Sequence, residues 1–243
     1  MRSLMISGIR GGVGVTSLLA GLGYALAAQG KRVLMIDLSP ENQLRLHFNL
    51  DFAHRQGWAR AELDGQPWTE QAFEVLPGLQ LLPYGRLDEA EVRRVEQGLC
   101  EHHDVWNRRR TRFEHAYDWI LFDVPQRLPG HVPVPRHTRG DLLVKVVEAD
   151  PACHALLSEG RHGQPDLLVV NRFDASSQLQ RDLALLWRTR HGEDLSLQRV
   201  HRDEALAEAL ACKRPVGLHA PASQAATDLQ SLATWCLVRG GPR

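Results

Sequence analysis

An excess of charge of either sign is the first thing this 243-residue sequence lacks: 29 Lys and Arg stand against 29 Asp and Glu, a formal net charge of zero. No global basic field argues for nonspecific attachment to nucleic acid or to a membrane, although a local patch is compatible with neutrality. Lysine is scarce, with Lys31, Lys145 and Lys213 the three in the chain, so chemistry that needs an amine has three candidates. The four cysteines, Cys100, Cys153, Cys212 and Cys236, form no CxxC pair, which fits reduced, buried thiols in a cytosolic protein better than a disulfide frame or a thiolate zinc site. Repeats and a convincing linker are missing as well. What is present is an ordinary globular composition, 43% hydrophobic and 24% charged, and residues 1–243 read as a single domain. One uncharged stretch, Gly11 to Gly30, imitates a membrane helix or a signal peptide. Its glycines and the polar Thr16, Ser17, Tyr24 and Gln29 make a poor span, and cleavage would discard the strand and loop that precede it, so it is read as folded protein.

The apolar run Leu4-Met5-Ile6 turns into a glycine-rich segment and then into Thr16-Ser17-Leu18-Leu19, with apolar residues continuing at Leu22, Ala25 and Leu26, an order of strand, loop and helix. Gly30 is placed to stop that helix, and Arg32-Val33-Leu34-Met35-Ile36-Asp37 reads as a buried strand closed by a carboxylate. Similar unalternated runs follow at 80–83, 119–123, 142–147, 166–171 and 195–200, separated by helix-like segments such as 177–190 and 203–210. Strands buried on both faces look like this, so the expected fold is α/β, a single doubly wound domain with a mainly parallel sheet and helices on both faces. Pro125 to Arg139, rich in Pro, Gly, His and Arg, reads as a long loop at a strand's carboxyl end, where such sheets bind ligands.

Arg10-Gly11-Gly12-Val13-Gly14-Val15-Thr16-Ser17 stands between the first strand and the first helix, the setting a phosphate-cradling loop requires. Glycines let the backbone wrap closely enough for successive N–H groups to point at phosphate oxygens, and the helix N-terminus adds its dipole. A glycine-rich turn serving only close helix packing is the alternative. Asp37 and Asp123 each close a strand beside the loop. Either alone reads as a solvated strand end; together, their hard oxygens suit a magnesium shell that keeps several waters.

The loop resembles that of the deviant phosphate-loop ATPases of the MinD and ParA superfamily, which reads Lys-Gly-Gly-x-Gly-Lys-Thr-Thr. The resemblance implies ATP and Mg2+ as cofactors, with Gly11, Gly12, Val13, Gly14, Val15, Thr16 and Ser17 around the phosphates and Thr16, Asp37 and Asp123 around the metal. Asn171, with Arg172 beside it, falls where the superfamily's purine-reading Asn stands, and a carboxamide can donate to and accept from an adenine edge at once; an Asn in a strand-to-helix turn is the plain alternative. Arg202 is the first choice among the residues from Val200 to Ala205 that align with the region packing around the base. Two positions depart from the pattern. Arg10 replaces the signature lysine that reaches across a dimer, and Val15 replaces the ordinary phosphate-loop lysine, forgoing a charge-assisted interaction of about 1.5 to 3 kcal/mol. A third departure bears on turnover: Asp37-Leu38-Ser39-Pro40 lacks the second aspartate of Asp-x-Asp-Pro, which positions the attacking water. Losing an acid–base group typically costs about a hundredfold to ten-thousandfold in rate, so Arg10 and Asp37 are left as the catalytic candidates, with binding expected to outlive hydrolysis. Glu41 is the alternative base.

Leu46 to Phe52 running into His54-Arg55-Gln56-Gly57-Trp58-Ala59-Arg60, then Asp64-Gly65-Gln66, the 201–217 region and Ala233-Thr234-Trp235-Cys236-Leu237 resemble, more narrowly, the BcsQ family of MinD-like proteins from bacterial cellulose secretion systems. That resemblance spans nearly the whole chain, and the family too lacks the usual loop lysine. It implies an ATP-sandwiched homodimer that binds a small partner protein and regulatory subunits of the cellulose synthase, in the cytoplasm and recruited to the inner face of the inner membrane through partners; the neutral charge balance argues against nucleic acid as a partner. The rival readings are a cycling ATPase that positions the secretion machinery and a nucleotide-free scaffold. Elsewhere, Cys100, His102 and His103 read as a polar helix face, Arg108-Arg109-Arg110 with Arg112 as a solvated charge run, and 227–238 as a helix packed on the core.

Overall fold

A computed structural model of the chain describes residues 1–101, 105–126, 141–160, 165–191 and 196–239. β1 (Arg2–Gly8) leads through the glycine loop into α1 (Val15–Ala28) and β2 (Val33–Asp37). Next come α2 (Trp58–Leu63), the hairpin of β3 (Phe73–Leu76) and β4 (Leu79–Leu82), α3 (Glu89–Glu101), α4 (Val105–Arg110) and β5 (Trp119–Val124). The second half runs β6 (Leu142–Glu148), α5 (Pro151–Ser158), β7 (Leu167–Phe173), α6 (Gln178–His191), β8 (Ser196–His201), α7 (Ala205–Ala211), α8 (Val216–His219) and α9 (Gln224–Arg239). The eight strands among the described residues join one sheet in the order β3-β4-β2-β5-β1-β6-β7-β8, parallel throughout except for β3 at one edge. This is the doubly wound α/β fold that the unalternated apolar runs predict. The chain fills one side of β1 first, with β5 inserted between β1 and β2, and then crosses over to lay β6, β7 and β8 on the other. That reversal opens a crevice at the carboxyl end of β1, the place where such sheets take ligands.

The two faces of the sheet carry separate cores. Leu4, Ile6, Val33 and Met35 pack with Leu18, Leu22 and Leu26 of α1 and with Leu229, Leu232 and Ala233 of α9, whereas Met5, Leu34 and Ile36 pack with Trp58, Trp106 and Phe122. Alternation of side chains along β1 and β2 produces this division. The stretch from Gly11 to Gly30 is the loop plus α1, and no helix among the described residues is long and apolar enough to cross a membrane. At its C-terminus α1 closes in a Schellman motif: Gly30, at φ 77°, donates to Ala27 O and Lys31 donates to Leu26 O. At its N-terminus the cap is Gly14, at φ 88°, with no side chain to offer the first-turn amides.

Two sequence readings need correction. The run Arg108-Arg109-Arg110 with Arg112 is solvated only in part: Arg108 and Arg112 are exposed, but Arg109 is buried among Trp58, Trp68 and Trp106, at 5.8, 4.8 and 5.1 Å from their ring centres, and pairs with Glu62, while Arg110 pairs with the buried Asp141 at 2.6 Å. Flat guanidinium faces stack on indole rings, which makes burial of this cation tolerable. Cys153 and Cys236 are buried as expected, but Cys212, at the end of α7, is exposed. His102, His103 and residues 127–139 of the expected long loop lie outside the described residues.

The entry to α2 shows how tightly the second core is closed. Trp58 N and Ala59 N donate to Pro83 O and Tyr84 O, and a Cβ on Gly57 would stand 2.2 Å from Gly85 N. Backbone cannot swing aside as a side chain can, so Gly57→Ala is expected to destabilise the fold by about 1–3 kcal/mol. Gly98→Ala, in exposed space on α3, should stabilise it by about 0.5–1 kcal/mol. Urea unfolding midpoints of the two variants check both signs.

Candidate functional site

The loop from Arg10 to Ser17 lines a cleft of about 820 Å³ together with Ser39, Glu41, His47, Asp123 and Gln126. A second cleft of about 510 Å³ adjoins it and is lined by Glu148, Asp150, Asn171, Arg172, Arg202 and Leu206 among others; Gly14, Ser17 and Leu210 border both. Three consecutive loop carbonyls are held by side chains that themselves line the two clefts: Arg10 donates to Gly11 O at 3.1 Å, Arg172 to Gly12 O at 3.0 Å, and Asn171 Nδ2 to Val13 O at 2.8 Å. Peptide groups carry donor and acceptor on opposite sides, so each tethered carbonyl fixes the direction of the amide across from it. With the uncapped first turn of α1, this is the geometry of an anion cradle. The sequence-predicted loop residues are therefore brought together at one cleft.

Asp37 and Asp123 sit side by side in register at the ends of β2 and β5. Burial pushes Asp123 up to about 6 against the effect of a hydrogen bond from Thr16, and the charge of Glu41 adds to the rise. Its Oδ2 is buried without a hydrogen-bond partner, so one carboxylate oxygen beside the Thr16 hydroxyl remains for a cation. Asp37 differs. It is fully buried and does not line the cleft; its Oδ1 accepts from Ser39 N at 2.9 Å and its Oδ2 from Leu44 N at 3.1 Å. Burial, followed by the neighbouring Asp123, raises its proton affinity well above the usual carboxylate range. Trp58 Nε1 donates to the backbone carbonyl of Asp37 at 2.7 Å, so the end of β2 is also fastened to α2. No group of three or more His, Cys, Asp or Glu is arranged to hold a metal by itself among the described residues; Mg2+, which keeps several waters, is commonly held by one or two carboxylates with a substrate's phosphates.

Arg10 lies against Glu148 and Asp150, with NH2 2.7 Å from a carboxylate oxygen of each, and Glu148 also pairs with Arg172. The bond to Asp150 holds the Arg10 guanidinium firmly charged. Asn171 is buried, its Nδ2 spent on the loop and its Oδ1 without a partner, while Arg202 is exposed at the rim of the smaller cleft. No lysine is among the described residues lining either cleft. Sequence reasoning missed Glu148, Asp150 and His47. Glu148 closes a strand as Asp37 does, so the same rule could have found it; His47 gave no signal, being one of 12 histidines.

A parallel sheet of this order, with a glycine loop between its central strand and the first helix and a carboxylate at the end of a neighbouring strand, defines an α/β protein of the MinD and ParA fold. MinD from Pyrococcus horikoshii OT3, solved with Mg-ADP, superposes with a TM-score of 0.70 at 19% identity, covering 95% of this chain and 94% of that one. A McdA–ATP complex from Cyanothece gives 0.71 at 18% identity, covering 98% and 96%. The profile of the family described as cellulose biosynthesis protein BcsQ matches residues 1–237. Cellulose biosynthesis protein BcsQ of Escherichia coli K12 is 37% identical over 239 residues, 98% of this chain and 95% of that protein. The chain belongs to the BcsQ family.

Asn171→Ala would leave the Val13 carbonyl without its partner and take the support from under Gly14, where a Cβ would stand 2.5 Å from Asn171 Nδ2. The expected loss is about 1–3 kcal/mol of stability. Faster hydrogen exchange at the amides of residues 12–16 should accompany it, and unchanged exchange there would show that the tether does not order the loop.

Proposed function

We propose that the chain is one nucleotide-binding domain over residues 1–243 that binds ATP with Mg2+, and that two copies close on the nucleotides into a sandwich that hydrolyses slowly or not at all. In that state it recruits a small partner protein and regulatory subunits of a cellulose synthase at the cytoplasmic face of the inner membrane. It reaches the bilayer only through them and takes no part in nucleic-acid binding. The supporting observation is the cleft lined by the glycine loop, where Thr16 and the unpartnered oxygen of Asp123 meet.

Mg2+ held by Thr16 and Asp123 would neutralise phosphate charge. Both oxygens of Asp37 are bonded to backbone amides, so Asp37 acts on the metal through a water or by giving up one amide. The smaller cleft suits the base. Asn171 Oδ1 accepts from a 6-amino purine and would repel the carbonyl of a 6-oxo purine, while Arg172 and Arg202 flank it. Arg10 meets the nucleotide of a second copy only by leaving Glu148 and Asp150, whose carboxylates hold it within its own chain. Val15 lines the cleft where a lysine would supply charge to the β and γ phosphates, and the Ser39 hydroxyl oxygen accepts from Glu41 N at 3.3 Å. Neither supplies a general base or a phosphate cation.

A second reading, the cycling ATPase, draws on Glu41, which lines the cleft near enough to Asp123 to raise its proton affinity. In that reading Glu41→Gln abolishes turnover.

Protein purified without added nucleotide should carry ATP and have the mass of a dimer in solution. Arg10→Ala should leave monomers, and Val15→Lys should tighten Mg·ATP binding by about tenfold to a hundredfold. Turnover above about 1 per second would overturn the slow-clamp reading, since that is the range of ordinary enzymes. Failure to bind labelled ATP with Mg2+ would leave the scaffold reading.

A further inference from the structure

His47 is 4% exposed and lies in the short 3-10 helix Leu44–Phe48, which packs on the N-terminal part of α1. Its Nε2 stands 3.4 Å from Ser17 Oγ, and both residues line the larger cleft. An apolar side chain would fill that space without the cost of desolvating a ring nitrogen, so packing alone does not account for an imidazole here. Ser17 also borders the smaller cleft, placing its hydroxyl where the two spaces meet. If a nucleotide lies across both, this is where the phosphate nearest the ribose passes.

We propose that His47 is a positioning residue for nucleotide binding: its Nε2 fixes the direction of the Ser17 hydroxyl so that the O–H is presented to the phosphate adjoining the ribose. This inference rests on the nucleotide-binding reading of the cleft. Burial pushes the imidazole down to about 4, so the ring is neutral at ordinary pH, with one nitrogen carrying a proton and the other accepting. When Nε2–H donates to Ser17 Oγ, the serine proton is left free to point at a phosphate oxygen. A contact of 3.4 Å is long, as such contacts often are before a ligand tightens them.

The test is a double-mutant cycle on affinity for a fluorescent ATP analogue with Mg2+, using His47→Leu, Ser17→Ala, the pair together, and His47→Gln, whose amide nitrogen can occupy the place of Nε2. Each single change is expected to weaken binding about three- to tenfold, the pair no more than the worse single change, and His47→Gln is expected to restore most of the loss. Nucleotide-free melting temperatures recorded in parallel separate loss of fold from loss of positioning. Additive losses in the pair, or full affinity in folded His47→Leu protein, would overturn the role of His47 while leaving the nucleotide reading intact. No binding by the unsubstituted protein would overturn both.

Discussion

A loop that turns its N–H groups toward a ligand must find partners elsewhere for its carbonyls, because the two ends of each peptide group point apart. In this chain the debt of Gly11, Gly12 and Val13 is met by Arg10, Arg172 and Asn171, two of them from the end of β7. The sheet order makes this possible. β6 lies beside β1 and β7 beside β6, so their carboxyl ends stand directly behind the loop. What looks from the sequence like a local glycine motif is held in shape by residues about 160 positions away.

Arginine suits this task better than lysine. A planar fork can grip a carboxylate and a carbonyl together, as Arg10 does with Glu148, Asp150 and Gly11 O, where an ammonium would offer a point charge on a looser stem. The scarcity of lysine in the chain is thus not simply a loss of phosphate-binding charge. Positive charge is present at the loop, but it is tethered by acids behind it instead of standing free inside the cleft. Beside the loop the balance is reversed: Asp37 and Asp123 stand together in register, and burial makes both hold protons more tightly than ordinary carboxylates despite the charge of Arg45 near Asp37.

Much of the architecture was legible because buried parallel strands leave unalternated apolar runs, and seven of the eight strands were found that way. β3 was not, since Phe73-Glu74-Val75-Leu76 is a four-residue edge with no fully buried residue and too short a pattern to register. The glycine loop, in its place between a strand and a helix, pointed to the cleft together with the strand-end Asp123, whereas Asp37 proves to be buried away from it. Arg109 misled, because a charge run on paper cannot reveal three tryptophans, from separate segments of the chain, converging on one guanidinium. His47 was silent for a related reason: its significance lies in a contact 30 residues away across a 3-10 helix that no periodicity marks. Asp37 was visible, but its bonds to Ser39 and Leu44 depend on how one short segment folds back on itself.

The two ends of α1 are finished differently. Its C-terminus is sealed by the turn at Gly30, while at its N-terminus Gly14 brings no side chain to the first-turn amides. First-turn amides without a side-chain cap suit an anion as their partner. Any anion that meets them binds the folded chain and not the unfolded one, and so adds RT ln(1 + [L]/Kd) to the free energy of unfolding. Folding and ligand supply are in this way linked, and the lifetime of the native chain follows the concentration of whatever fills the loop.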